Sequence, residues 1–250
     1  MSDPRRPATV TGLTSVVVPV YNEQRTVGTL LRRLASIPLH KEVIVVDDGS
    51  TDGTPDMLRQ LQGQLGFLLV EGTRNRGKGM AFRMGLAQAR GAVVVIQDAD
   101  LEYDPCDLPR VVEPILAGRA EVCYGSRILG PSRGRSSQAF YWGGRLLSLL
   151  TTVLYGLHVT DEATGYKAFR TESIRSLHLE GEGFELEPEL TAKVLRLGLR
   201  YVEVPITYDP RRIQDGKKIS WRDGLLAILV LLAWRLRPIR SAPETSRTRS

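Results

Sequence analysis

Asp98-Ala99-Asp100 stands at the end of the apolar run Ala92-Val93-Val94-Val95-Ile96, bounded on its other side by Gly91. Carboxylates two residues apart at a strand end can share a divalent cation, and that cation can neutralise a diphosphate. The same pair could also serve only as a polar strand end that caps a following helix. A second place of the same kind follows Glu42-Val43-Ile44-Val45-Val46, which runs into Asp47-Asp48-Gly49-Ser50-Thr51-Asp52-Gly53-Thr54. A third apolar run, Ser15 to Val20, ends in Tyr21-Asn22-Glu23. Clustered carboxylates repel one another unless cations or hydrogen-bond donors compensate, so three such ends at one sheet edge point to a ligand.

The elements that must carry these residues are short β-prone runs alternating with helical segments as far as residue 124. This pattern predicts an α/β fold, a mostly parallel sheet with helices on both faces. Open parallel sheets bind ligands at the carboxyl ends of their strands, where the acids fall. At 250 residues and 42% hydrophobic content, the chain suffices for a single domain with a substantial core, expected over 13–238. The stretches 1–12 and 239–250 read as disordered tails. The N-terminus lacks the apolar centre of a signal peptide. Two apolar helices are expected, over 139–157 and 221–236. The first shows apolar positions at 147, 150, 154 and 157, with Arg133, Arg135 and Arg145 nearby, and the second contains the run Leu225 to Trp234. That run is too short to span ~30 Å of hydrocarbon, so the pair reads either as core or as a peripheral contact with anionic lipid.

Cys106 and Cys123 alone argue against a disulfide framework or a zinc site. His40, His158 and His178 are scattered, and no metal role is given to them. A formal charge of +6 favours anionic partners. No helix-turn-helix, RNP or zinc-finger pattern accompanies it, so nucleic acid is not expected as a partner.

Several stretches in order carry a family likeness: Val18-Pro19-Val20-Tyr21-Asn22-Glu23, Asp47 to Thr54, Asn75-Arg76-Gly77-Lys78-Gly79 and Gln97-Asp98-Ala99-Asp100-Leu101-Glu102. Gly125-Ser126-Arg127, Thr164-Gly165-Tyr166-Lys167 and Lys217-Lys218-Ile219-Ser220-Trp221 follow. Together they resemble the inverting glycosyltransferases of family 2, specifically the dolichol-phosphate mannosyltransferase branch of polyprenyl-phosphate glycosyltransferases. The resemblance implies the GT-A fold, a nucleotide-sugar donor (GDP-mannose or a UDP-sugar), a polyprenyl-phosphate acceptor, Mg2+ or Mn2+, and a cytoplasmic enzyme peripherally attached to the membrane.

It also implies roles for residues. Pro19, Tyr21, Glu23, Asp48 and Asp98, with Ala99 between the acids, match positions that hold the donor's base and ribose. Carboxylates suit base N–H groups and ribose hydroxyls, and Tyr21 offers a stacking face. Asp100 is the primary metal ligand and a catalytic candidate, with Asp98 and Glu102 as neighbouring ligands; Glu102 departs from the Gln common at its position. Arg127, Arg212 and Lys218 match positions contacting the donor diphosphate or acceptor phosphate, with Arg211 and Lys217 as adjacent alternatives. The segment Asn75 to Gly79 reads either as a phosphate-facing loop or as a plain entry to the helix from Met80 to Ala89. Glu187 aligns with the catalytic base of members that use hydroxyl acceptors. A phosphate acceptor, whose second pKa is ~6, needs no such base. Two other readings remain open: transfer to a hydroxyl of a glycan or glycolipid with Glu187 as base, and a non-catalytic lipid- or nucleic-acid-binding protein. A sugar-nucleotide pyrophosphorylase would be expected to carry a Gly-rich signature where Tyr21-Asn22-Glu23 stands.

Overall fold

A computed structural model describes residues 12–131, 138–211 and 221–239. Seven strands form one sheet: β1 (Thr14–Val20), β2 (Lys41–Asp47), β3 (Leu68–Glu71), β4 (Val93–Ile96), β5 (Val122–Ser126), β6 (Lys167–Arg170) and β7 (Tyr201–Pro205). Their order is β3-β2-β1-β4-β6-β5-β7. All neighbours run parallel except around β6, which is antiparallel to both β4 and β5. The expected α/β architecture, mostly parallel, is therefore present, with one reversed strand that the apolar pattern did not announce.

The runs of Val and Ile in β1, β2 and β4 are almost wholly buried, as strands covered on both faces must be. Alternate residues serve alternate faces. Val16, Val18 and Val20 of β1 pack with α1 (Val27–Ser36), α2 (Thr54–Leu65) and α4 (Leu108–Leu116). Val17, with Ile44 and Val46, meets α3 (Lys78–Gln88), α6 (Thr171–Ser176) and α7 (Leu186–Arg196) on the other face. The helix expected from Met80 begins two residues earlier, which makes Lys78 its first residue.

Two longer helices, α5 (Gln138–Tyr155) and α8 (Trp221–Leu236), pack beside α7 as an outer layer. Lys193 of α7 lies 3.9 Å from the centre of the Trp234 ring, and Arg196 caps α8 by donating to the carbonyls of Trp234 and Arg237. Of the apolar positions 147, 150, 154 and 157, Leu157 lies just past α5 and is exposed, while two others meet protein. Leu147 is buried against α7 and α8, and Leu154 packs beside it. The outward face is a different apolar set: Trp142, Leu146, Leu149 and Val153, joined by Leu225, Leu229, Leu232 and Leu236 of α8. No helix among the described residues is long and apolar enough to cross a membrane. The expected tails at 1–12 and 239–250 lie almost entirely outside the described residues.

Candidate active site

Because β2, β1 and β4 are adjacent and parallel, their carboxyl ends bring the three acidic clusters to one edge of the sheet. The first two ends are sewn together. Asn22, at φ 53°, accepts from Thr51 N–H at 2.8 Å, its own N–H meets Ser50 Oγ at 2.9 Å, and Glu23 N–H meets Thr54 Oγ1 at 3.0 Å. Pro19 and Tyr21 flank this seam, Pro19 within β1 and Tyr21 just beyond its end.

Asp48 decides what the Asn75–Gly79 segment does. Its carboxylate accepts the N–H of Arg76 at 3.0 Å and that of Gly77 at 2.7 Å. Donors suited to a phosphate are thus already taken by the protein's own anion. The two glycines answer a packing demand. Gly77 has φ +98°, and a Cβ there would lie 2.5 Å from the carbonyl oxygen of Glu182. A Cβ on Gly79 would collide with the carbonyl of Gly181. The start of α3 therefore seats the loop that precedes α7, helped by Met80 N–H on Glu182 O at 3.0 Å and by an Arg76–Glu182 ion pair at 2.5 Å.

Behind this seat runs a chain of alternating charges. Lys78 Nζ is 2.8 Å from Asp98 Oδ1 and 2.9 Å from Glu187 Oε1, and Lys167 Nζ is 2.6 Å from Glu187 Oε2. Lys167 also donates to the carbonyl of Glu162 at 3.0 Å. Burial pushes the Glu187 carboxyl up, but the charges of Lys167 and Lys78 outweigh it and hold the group at about 2. For Asp98 burial wins over Lys78, and its pKa is raised. Gly165 covers the chain, since a Cβ there would stand 2.5 Å from Asp98 Oδ2 and 3.0 Å from Lys78 Nζ.

Asp100 is the outlying acid. It accepts Glu102 N–H at 3.1 Å, and no cation among the described residues forms an ion pair with it. Burial, then the charges of Asp98 and Glu102, push its carboxyl up to about 7 against the counter-effect of Arg211. Glu102 is turned inward, where it accepts from Tyr208 Oη and from Arg211 N–H, each at 2.8 Å. Among the described residues, no three His, Cys, Asp or Glu side chains surround a point that could hold a metal. Of the expected trio, Asp98 pairs with Lys78, Glu102 accepts from Tyr208 Oη and Arg211 N–H, and Asp100 has no ion pair among the described residues.

The choice between Arg211 and Arg212 is half answered. Arg211 grips Glu23 with both terminal nitrogens, at 3.2 and 2.7 Å, and donates from Nε to the carbonyl of Asp100 at 2.9 Å. It thereby straps the end of β1 to the end of β4. Arg212, Lys217 and Lys218 lie outside the described residues. Arg127, just past β5, is bound two-toothed by Asp161 at 2.7 Å through Nε and one terminal nitrogen, and its guanidinium sits 5.1 Å over the Tyr208 ring. Burial lowers its pKa and the Asp161 charge more than restores it, so the cation is permanent. Asp161 is itself set by Glu203, which accepts the N–H groups of Thr160 and Asp161. Asp161 is the site residue that no motif in the sequence marked, while Lys78, Lys167 and Arg211 stood in or beside the motifs without the ion pairs they make here.

Comparison with known proteins follows the same lines. Residues 15–177 match the family model described as glycosyl transferase family 2. The undecaprenyl-phosphate mannosyltransferase of Micrococcus luteus is 33% identical over 215 residues, covering 80% of this chain and 85% of that protein. The polyprenol monophosphomannose synthase of Mycolicibacterium smegmatis is 30% identical over 247 residues, covering 92% and 91%. Among solved structures, glucosyl-3-phosphoglycerate synthase from Mycobacterium tuberculosis, in complex with Mn2+, uridine diphosphate and glucosyl-3-phosphoglycerate, superposes with a TM-score of 0.71. It is 24% identical, with 95% of this chain and 88% of that one covered, a likeness of fold. The sheet that gathers three acidic strand ends and the residues that line it thus agree with one lineage, and the chain belongs to glycosyl transferase family 2.

Proposed function

We propose that the protein transfers a sugar, with inversion, from a nucleotide-sugar donor to a polyprenyl phosphate at a membrane surface. The observation that carries the choice of acceptor is Glu187, clamped between Lys78 and Lys167 and held at about 2. So acidic a carboxyl has little affinity for a proton and makes a poor general base near neutrality. A phosphate acceptor, with its second pKa at ~6, brings its nucleophilic oxygen already ionised. That oxygen attacks the anomeric carbon from the face opposite the diphosphate; the new O–C bond forms as the bond from carbon to the diphosphate breaks.

In this reading Pro19, Tyr21, Glu23, Asp48, Asp98 and Ala99 line the nucleoside end. Arg127, with Arg212 and Lys218 from the segment outside the described residues, holds phosphates, a task suited to guanidinium forks and a mobile ammonium. The chemistry of the site fits a divalent cation: Asp100 is a hard oxygen donor whose charge burial and its neighbours disfavour. Magnesium or manganese commonly binds through one or two carboxylates plus substrate phosphates. When bound, the ion supplies charge neutralisation for the departing diphosphate. The outward apolar face of α5 and α8, with Arg145 and Arg235 exposed on the same helices, suits a cytoplasmic enzyme lying on anionic lipid.

The test offers the full chain GDP-mannose and UDP-sugars with manganese, and undecaprenyl phosphate or undecaprenol as acceptor. A lipid-linked monosaccharide is expected from the phosphate only, and Glu187→Gln is expected to lose less than about tenfold in kcat. Product from the alcohol, together with a loss in Glu187→Gln of ~10²–10⁴-fold at unchanged donor affinity, would hand the reading to a hydroxyl acceptor.

A further inference from the structure

Lys78 ties the end of β4 to the start of α7 through one side chain. Its ammonium touches Asp98, on the loop after β4, and Glu187, in the first turn of α7. The lysine has little freedom to do otherwise. Its backbone starts α3 between Gly77 and Gly79, both pressed against the 181–183 loop, and its Nζ is covered by Gly165. Both carboxylates are also fixed from their far sides, Glu187 by Lys167 and Asp98 by the close approach of Gly165. A largely buried ammonium between two carboxylates leaves them mutually repelling if it is removed, because solvent reaches the three groups only in part.

We propose that Lys78 is a positioning residue for sugar transfer: by pairing with Asp98 and Glu187 at once, it sets the donor-side carboxylates of the β4 end against the acceptor-side turn of α7. This rests on the transferase reading above. Lys78 has no direct task on the diphosphate in this assignment; its effect reaches the donor through where Asp98 and the neighbouring Asp100 stand. Glu187 then serves as the anchor of that lysine. The requirement for glycine at 77, 79 and 165 follows from the same arrangement, since each lets backbone close around the paired charges.

A charge-balance cycle tests it. Lys78→Met, Glu187→Gln and the double variant are prepared as full chains, and binding of GDP-mannose and UDP-glucose is titrated with manganese beside kcat and thermal melting. Lys78→Met is expected to weaken donor binding by about tenfold or more, since it leaves two poorly screened carboxylates. Adding Glu187→Gln to it removes one of those charges and is expected to recover most of the donor affinity. A lysine that contacted phosphate directly would give a loss that Glu187→Gln does not repair, and that result overturns the proposal, as does wild-type affinity and kcat in Lys78→Met. If Lys78→Met does not fold, the double variant decides: folded with donor affinity near wild type supports the positioning role, folded without it refutes the role. Failure of the wild type to bind either nucleotide sugar instead defeats the transferase reading itself, and the proposal with it.

Discussion

Asp98 is paired with Lys78, Glu23 with Arg211 and Glu187 with two lysines, whereas Asp100 has no ion pair among the described residues and accepts a single backbone N–H, that of Glu102. The Asp100 proton is held up to about 7 by burial and by Asp98 and Glu102. Ionised Asp100 therefore destabilises the metal-free fold near neutral pH. Asp100→Asn is expected to raise the metal-free melting temperature by a few degrees, at ~2–4 °C per kcal/mol for a chain of this size. It is also expected to abolish both the stabilisation by manganese and sugar transfer. A metal-free Tm at or below wild type would show that the charge is not the burden described. The placement of Asp98 and Asp100 was legible in the sequence because a buried strand must deliver its next residues to the sheet edge. The partner of Glu23 was not: Arg211 lies far along the chain, and no local pattern records an ion pair made by tertiary contact. Arg76 and Gly77 illustrate the opposite trap, since a glycine-rich basic loop that looks made for phosphate spends its N–H groups on Asp48.

At the scale of elements, α5 and α8 are apolar on two sides, one for α7 and one outward. Periodicity alone reported the stripe at 147, 150 and 154 but could not say which side met protein; that depends on which helix arrives to cover it. Here α8 arrives, and Val153 and Leu236 are left 72% and 85% exposed on the far side. Replacing Leu149, Val153, Leu229 and Leu232 by Gln is expected to abolish co-flotation with phosphatidylglycerol vesicles. The Tm is expected to change little, because exposed positions contribute little to folding. Wild-type binding to vesicles is expected to fall as salt rises, through screening of Arg145 and Arg235. Retention of flotation by the fourfold variant would remove this face from the membrane contact. The reversed strand β6 was the other element hidden from the pattern. Four residues, Lys167–Arg170, carry no mark of direction, which is fixed only by pairing with β4 and β5.

For the whole molecule, buried acids of opposite tendency set the response to pH. Asp100 and Glu162 sit at about 7 in the fold, raised first by burial from 3.8 and 4.5, so the folded protein keeps protons that the unfolded chain has released. Their contribution to stability is lost as pH rises through that interval. Glu187 runs the other way: at about 2 against 4.5, its ion pairs stabilise above the unfolded value and fail as pH falls toward 2. Together they place the stability maximum of the metal-free protein at roughly pH 4, and manganese is expected to move it upward by favouring ionised Asp100. Thermal melts across the acid-to-neutral range check this, and a metal-free maximum above neutrality would contradict the assignment.

The insertion of β6 between β4 and β5 has a consequence for the nascent chain. When β1 to β4 have left the ribosome, the Val93–Ile96 edge has β1 on one side and nothing on the other. Its second partner emerges only with Lys167–Arg170, and β5, although made earlier, has no place in the sheet until β6 bridges it. At ~5–20 residues per second this leaves a bare apolar strand edge for several seconds of every round of synthesis. Such an edge is a template for pairing with another chain, so slowed translation between residues 97 and 170 lengthens the interval in which newly made molecules are lost to aggregation.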